Sequence, residues 1–239
     1  MSFSAHIITA YPHMFPGPLG ESLHGRALQD GLWQLHTHDL RAFGQGKHKN
    51  IDDTPAGGGA GMVLRADVAA AAVDHVTRDN ALPVILPSPR GLPLTQNMVA
   101  DWAKADGLIF LCNRFEGVDE RFIEARQPVE VSLGDYVLSG GELAAMVMLE
   151  AVLRLVPGIM GKAESGMDES FSAANDGLLE YPHYTRPQEW EGRAIPDIVT
   201  SGDHKKLAAW RREQAEAITK TRRPDLSAKR ATKRDDTEN

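Results

Sequence analysis

The sequence predicts an α/β layer structure built around a largely parallel sheet. Short aliphatic or β-branched runs alternate with amphipathic segments through the first half of the chain, which is the pattern of strands joined by helical crossovers. Some of those runs are apolar at every position, as in strands covered on both faces. The composition, 42% hydrophobic and 25% charged, is that of a globular chain and argues against global disorder.

Taken in order, residues 6–10 read as a strand. Residues 19–30 read as a helix with Leu19, Leu23, Ala27 and Leu28 on one face. Residues 33–40 alternate as a strand, and the Ala-rich 65–77 is helical. Residues 83–86 form a buried-type strand, 95–105 a helix, and the apolar 108–112 another strand. A short helix over 119–126 and a strand over 129–133 follow. A long helix over 141–155 is then stopped by Pro157-Gly158. Beyond residue 161 the character changes. Residues 162–177, KAESGMDESFSAANDG, are polar and aperiodic and read as a linker or mobile lid. Residues 178–239 contain a proline-punctuated stretch and a helix over 204–221. In that helix Leu207, Trp210 and Ile218 share a face, with Lys206, Arg211, Arg212 and Lys220 around it. The expected division is therefore 1–161, 162–177 and 178–239.

Several function classes are set aside at this level. No apolar run reaches the roughly 18 residues that span a bilayer, and the longest, 143–156, is broken by Glu150 and Arg154. The N-terminal stretch lacks the basic flank and apolar core of a secretion signal. The single cysteine, Cys112, excludes an internal disulfide and a multi-cysteine zinc site. A cytoplasmic protein with no membrane association is expected. The net charge is −7, yet residues 201–239 carry eleven Lys/Arg against seven Asp/Glu. A basic tail on an acidic body fits phosphate contacts at one end, and equally a solvated helix surface.

Three loops stand where ligand contacts can form, although NRFEGVDE (113–120) reads equally as an ordinary turn with Asp119 capping the next helix. LPSPRG (86–91), NRFEG (113–117) and SLGDYVLSGGE (132–142) each follow a predicted strand, where an α/β sheet presents its ligand-binding groups. Glycines at Gly117, Gly134, Gly140 and Gly141 permit close backbone approach. GGGAG at 57–61 follows a turn rather than a strand, so it reads as a flexible loop and not as a dinucleotide fingerprint. His36 and His38 share a strand face beside Asp39. Without a third placed ligand they read as packing or surface residues rather than a metal site.

Together with AGGGAGM, PHYTRP (182–187) and RRPDL (222–226), these loops resemble the bacterial tRNA (guanine-37-N1) methyltransferase family. The resemblance covers essentially the whole chain, and GDYVLSGGE followed by PHYTRP is its most specific part. It implies a SPOUT-type α/β fold with a deep trefoil knot toward the C-terminal side of the domain, followed by a small helical tRNA-binding domain. It also implies a homodimer with the active site between subunits, acting on the anticodon stem-loop of tRNA. The implied reaction is S-adenosylmethionine-dependent methylation of N1 of guanosine 37 where residue 36 is also guanosine. By the same resemblance Leu86, Ser88, Pro89, Asn113 and Gly117 hold the cofactor. So do Leu133, Gly134, Asp135, Tyr136, Val137, Leu138, Gly140 and Gly141. Gly59, Phe115, Glu116 and Ser170 fall near the target base, and His183 and Arg186 on the tRNA side. Arg154 matches an arginine that stabilises charge on O6. Glu169 falls at the position of the general base, with Asp168 the alternative if the loop is offset by one residue. Magnesium assistance is allowed by the resemblance, with no metal site read from the sequence. The chain departs from the family pattern at Asn113, where glycine is usual, and in a longer 172–175 segment. Two other readings remain at this level: a nicotinamide-dependent oxidoreductase, and an RNA-binding module with an inactive cofactor pocket.

Overall fold

A computed structural model describes residues 2–160, 169–228 and 230. The chain divides into two compact units, Met1–Gly161 and Lys162–Asn239.

The first unit is an α/β layer structure. Its elements are β1 (Phe3–Thr9), α1 (Ser22–Gln29), β2 (Trp33–Asp39), the short β3 (Asp52–Asp53) and β4 (Val63–Leu64), and α2 (Ala66–Thr77). They continue with β5 (Val84–Pro93), α3 (Gln96–Trp102), β6 (Gly107–Leu111), α4 (Glu120–Arg126), β7 (Val129–Ser132) and α5 (Gly141–Leu153). Five strands form one sheet in the order β2-β1-β6-β5-β7, and every adjacent pair is parallel. All of the residues of β6 are buried, as a central parallel strand covered on both sides requires.

Alternation along the strands divides the core between the two faces of the sheet. Ile7, Phe110, Ile85 and Val131 belong to a cluster that includes α5 residues Ala145, Met148, Leu149 and Val152. Ile8, Ile109, Leu111 and Leu86 belong to a second, with Val68, Ala72 and Val76 of α2 and Phe122 of α4. Helix α5 buries most of its length, yet Leu143 and Val147 stay 55% and 52% exposed one turn apart. It is an apolar helix on more than one side.

β5 is longer than its sequence suggested. Its pairing with β7 slips between Pro87 and Leu92, so that Val131 faces both. Prolines and a glycine at 87–93 disguise this segment, because they lack the donors and side chains of a regular strand. The pairs β3–β4 and β8 (Glu189–Trp190) with β9 (Arg193–Ala194) are two residues per strand, too short to carry a periodicity.

The second unit contains the β8–β9 hairpin (Glu189–Trp190, Arg193–Ala194), α6 (Asp197–Thr200) and the 19-residue α7 (His204–Arg222). Asp203 caps α7 by accepting from the Lys206 backbone N–H at 3.0 Å. Among its described residues only Leu178, Ala215 and Thr219 are buried. Thr219 donates to Ala215 O and accepts from the Leu179 backbone N–H at 2.9 Å, joining the helix to the segment before it. The described part of the 162–177 segment consists of turns and bends from Glu169 onward; its first residues lie outside the described residues, and Asp168 with them.

Candidate functional site

β6 and β7 flank β5 in one parallel sheet, and both end close to the slip in β5 between Pro87 and Leu92. The loops that leave β6 and β7, together with the slipped part of β5, surround a cavity of about 370 Å³, within the size range of small-molecule and cofactor sites. From the slipped middle of β5 come Leu86, Ser88, Pro89 and Arg90; from the loop after β6, Asn113 through Val118; from the end of β7 and the loop after it, Ser132, Leu133, Tyr136, Val137 and Leu138. Gly140, Gly141 and Ala144 close it at the start of α5. Gly134 and Asp135 belong to the same loop without lining the cavity. There the Gly134 carbonyl accepts from the Tyr136 N–H at 2.9 Å, forming the turn that presents Tyr136.

Glycine is required at two of these positions for different reasons. Gly117 has φ 141°, a conformation that residues with a Cβ rarely adopt. A Cβ on Gly141 would lie 3.0 Å from Cys112 Cα. This closeness lets the Gly141 N–H donate to Asn113 O at 2.7 Å, joining the second loop to the third.

The glycine run at 57–61 also reaches this neighbourhood. The Glu116 N–H donates to Met62 O at 2.8 Å, and the Leu64 N–H to Gly117 O at 3.0 Å. The Glu116 side chain rests against Gly61, where a Cβ would come within 2.4 Å of Oε1. Gly59, with φ 128°, lies in the same loop. Phe115, between Arg114 and Glu116, takes φ 60°, a strained choice for an aromatic residue.

The cavity walls combine apolar surface from Leu86, Pro87, Ile123 and Val131 with carboxylates from Glu116 and Glu130 and guanidinium groups from Arg90 and Arg114. Arg90 pairs with Glu120 at 2.8 Å and lies 3.8 Å from Glu130. Those carboxylates hold its guanidinium charge more firmly than usual. Beneath the loops Cys112 is fully enclosed, and burial together with the nearby Glu142 carboxylate pushes its thiol well up. It is therefore an uncharged core residue, not a nucleophile.

Of the other residues marked by the sequence, Arg154 caps the C-terminal end of α5 and its N–H donates to Glu150 O. Glu169, Ser170, His183 and Arg186 belong to the second unit. There Ser170 Oγ accepts from the Glu180 N–H at 2.9 Å, and His183 Nε2 lies 2.9 Å from Glu180 Oε1. Among the described residues no group of three or more His, Cys, Asp or Glu is placed to hold a metal ion. No helix there is long and apolar enough to cross a membrane. Sequence reasoning passed over Arg90, Arg114, Glu130 and Ser132 as lining residues, although each lies in or beside a motif it had singled out.

Fold and cavity together define an α/β domain with a three-loop, cofactor-sized site at the carboxyl edge of a parallel sheet. The model of the family described as tRNA (Guanine-1)-methyltransferase TrmD matches residues 1–229. A tRNA (guanine-N(1)-)-methyltransferase of Brucella ovis is 61% identical over 224 residues, covering 94% of this chain and 91% of its own. One from Brucella melitensis biotype 1 matches to the same extent, and one from Brucella suis shares 61% identity with 90% of its length covered. The chain belongs to the tRNA (guanine-1)-methyltransferase TrmD family.

Proposed function

We infer that this protein transfers a methyl group to N1 of guanosine 37 of tRNAs carrying guanosine at 36. Its family and relatives make it a tRNA (guanine-N1)-methyltransferase, an enzyme class that uses a cofactor of the S-adenosylmethionine type. The observation that carries the reading at this chain's own site is the convergence of three separate loops on one cavity, with Glu116 at its wall. The residues fit such a cofactor: the cavity has the volume, apolar walls for a ring system, and polar groups and glycine backbone for hydroxyls and amines. Leu86, Ser88, Pro89, Asn113, Gly117 and the 133–141 loop are proposed to hold it. When bound, it supplies an electrophilic methyl group.

The chain's own residues then manage one proton and one developing charge. N1 of guanine carries a proton at neutral pH and is a poor nucleophile until that proton is removed. Glu169 is proposed as the base, which requires an approach of about 2.6–3.2 Å to N1. Loss of the proton shifts negative charge toward O6, where the Arg154 guanidinium stabilises it. Phe115, Glu116, Gly59 and Ser170 are proposed to position the base, and His183 and Arg186 to meet the tRNA.

The same reading includes a trefoil knot in the first unit, a helical tRNA-binding second unit, and a homodimer whose active site lies between subunits. The dimer is supported by Leu143 and Val147 on α5 and by Val137, 83% exposed, on the third loop. Apolar surface concentrated on one helix and the adjoining loop is characteristic of contact sites. RNA contact by the second unit is supported by the exposed cations Lys205, Lys206 and Lys220 along α7. Magnesium assistance belongs to this proposal as well, and chelation during turnover checks it.

Incubation with labelled S-adenosylmethionine and a tRNA transcript carrying guanosine at 36 and 37 tests the function. Label should enter that transcript, fall when residue 36 is changed, and vanish when residue 37 is changed. Equal labelling of all three transcripts would reject the assigned target. Glu169→Gln should then lose far more activity than Asp168→Asn, and the opposite order would move the base to Asp168.

A further inference from the structure

Glu142 is the one buried carboxylate among the described residues, 1% exposed. It is the second residue of α5 and does not line the cavity. Its Oε1 accepts from Thr9 Oγ1 at 2.9 Å, and its Oε2 accepts from Arg114 Nε at 3.1 Å. Thr9 Oγ1 in turn accepts from the Tyr11 N–H at 3.0 Å. The Arg114 guanidinium lies over the Tyr11 ring, 4.5 Å from its centroid. One carboxylate thus gathers the end of β1, the loop after β6 and the start of α5.

Gly140 sits beneath this contact. A Cβ there would lie 2.6 Å from both Arg114 Nε and Glu142 Oε2. Its lack of a side chain makes room for the ion pair, a reason for glycine distinct from cofactor approach. The pair also bears on the strained residue of the site. Phe115, at φ 60°, is flanked by Arg114, tied to Glu142, and by Glu116, tied through its N–H to Met62 O. A left-handed conformation at a bulky residue persists only where its surroundings enforce it.

We propose that Arg114 and Glu142 form a positioning pair that sets the shape of the cofactor cavity, by pinning the 113–117 loop against the Gly140–Gly141 turn. Glu142 acts through Arg114 and the backbone rather than by touching the ligand. The proposal rests on the cofactor reading of the cavity. It requires that loss of the pair weaken cofactor binding in protein that is still folded. A pair serving stability alone would lower the melting temperature and leave affinity intact.

The test is calorimetry with S-adenosylmethionine on full-length protein, at a temperature where circular dichroism shows each variant folded. Glu142→Gln keeps the shape and removes the charge, leaving Arg114 uncompensated. Its affinity should fall by about tenfold or more, and its melting temperature should drop. The double variant Arg114→Met/Glu142→Met removes both charges; its melting temperature should recover substantially while affinity stays weak. If Glu142→Gln does not fold, Arg114→Lys, which keeps the charge balance but not the Nε contact, should show the same loss of affinity. Wild-type affinity in the folded single variant, or affinity that returns together with stability in the double variant, would overturn the pairing role. Wild-type protein that takes up no S-adenosylmethionine would instead overturn the cofactor reading, and this proposal with it.

Discussion

The two units are held together by different physics. The first buries apolar side chains on both faces of a five-stranded sheet, with Ile7, Phe110 and Leu149 fully enclosed. The second buries only Leu178, Ala215 and Thr219 among its described residues and relies on ionic and aromatic contacts. Arg212 reaches Asp176 at 2.5 Å and Glu216 at 3.1 Å, while Arg230 meets the same Glu216 at 3.2 Å. Arg211 lies over Tyr181, and Arg223 over Phe171. Hydrophobic burial scales with area and is largely indifferent to salt, whereas exposed charge pairs are weak and screened. The cavity is built on the unit with the extensive apolar core. The proposed general base, Glu169, stands on the unit whose contacts are weaker one by one.

The largest effect should come from the apolar core. Leu149→Ala removes a fully buried side chain from the α5–sheet contact and should destabilise the first unit by about 2–5 kcal/mol. Hydrogen exchange resolved by segment should show β1, β6 and α5 opening more readily, with α7 changed less. Equal changes in α7 would mean that the units unfold as one and the contrast between them fails.

Acid should act on the same unit through His6. This residue is 8% exposed and stacks on His36, with Nδ1 3.2 Å from His38 Nε2 and Ser4 Oγ on its other side. His75 abuts His38. Burial, and the adjacent His36 and His38, lower the His6 pKa from 6.5 to about 4. The folded state therefore favours the neutral ring. Above pH 6.5 the group adds no pH dependence; as pH falls from 6.5 toward 4 the unfolded state binds the proton first, and stability declines. The loss levels off below about 4 at roughly 3 kcal/mol. Melting curves over this range should show the decline, and His6→Gln should remove much of it. A profile unchanged by His6→Gln would assign the acid sensitivity elsewhere.

In the second unit a single hydroxyl should matter more than any single charge. Thr219→Val keeps the shape but leaves the Leu179 N–H without its acceptor, at a cost of about 1–3 kcal/mol. Exchange at Leu179 and along α7 should accelerate, with β6 unaffected.

The contrast also governs what could be read from the sequence. β6 was legible because an aliphatic run reports burial directly, β7 because Val129, Val131 and Leu133 alternate with polar residues, and the three loops because each follows a predicted strand. β5 was legible only as far as Leu86; its later residues carry Pro87, Pro89, Gly91 and Pro93, which argue against a strand even though Leu92 and Pro93 pair with Val131 and Ser132. On α7 the apolar residues Leu207, Trp210 and Ile218 marked one face, yet the buried positions are Ala215 and Thr219. Small and polar residues carry little hydrophobic signal. The Arg114–Glu142 pair joins residues 28 apart in sequence. An acid in the first turn of a helix is so common for dipole reasons that spacing alone could not reveal its partner.

The smallest effect should be the most diagnostic of the difference. Arg212 is partly exposed and its partners Asp176 and Glu216 more so, so each contact contributes well under about 1 kcal/mol after screening. Because Arg230 shares both acceptors, Arg212→Met should leave part of the network standing and cost about 1 kcal/mol or less at low salt. Raising the salt toward about 1 M shortens the screening length to roughly 3 Å. The wild type and the variant should then converge in the stability of α7. No comparable convergence should occur between wild type and Leu149→Ala, whose deficit is one of packing. If salt leaves the Arg212→Met difference intact, packing of the arginine stem holds the second unit rather than its charge, and the two units are more alike than their contacts suggest.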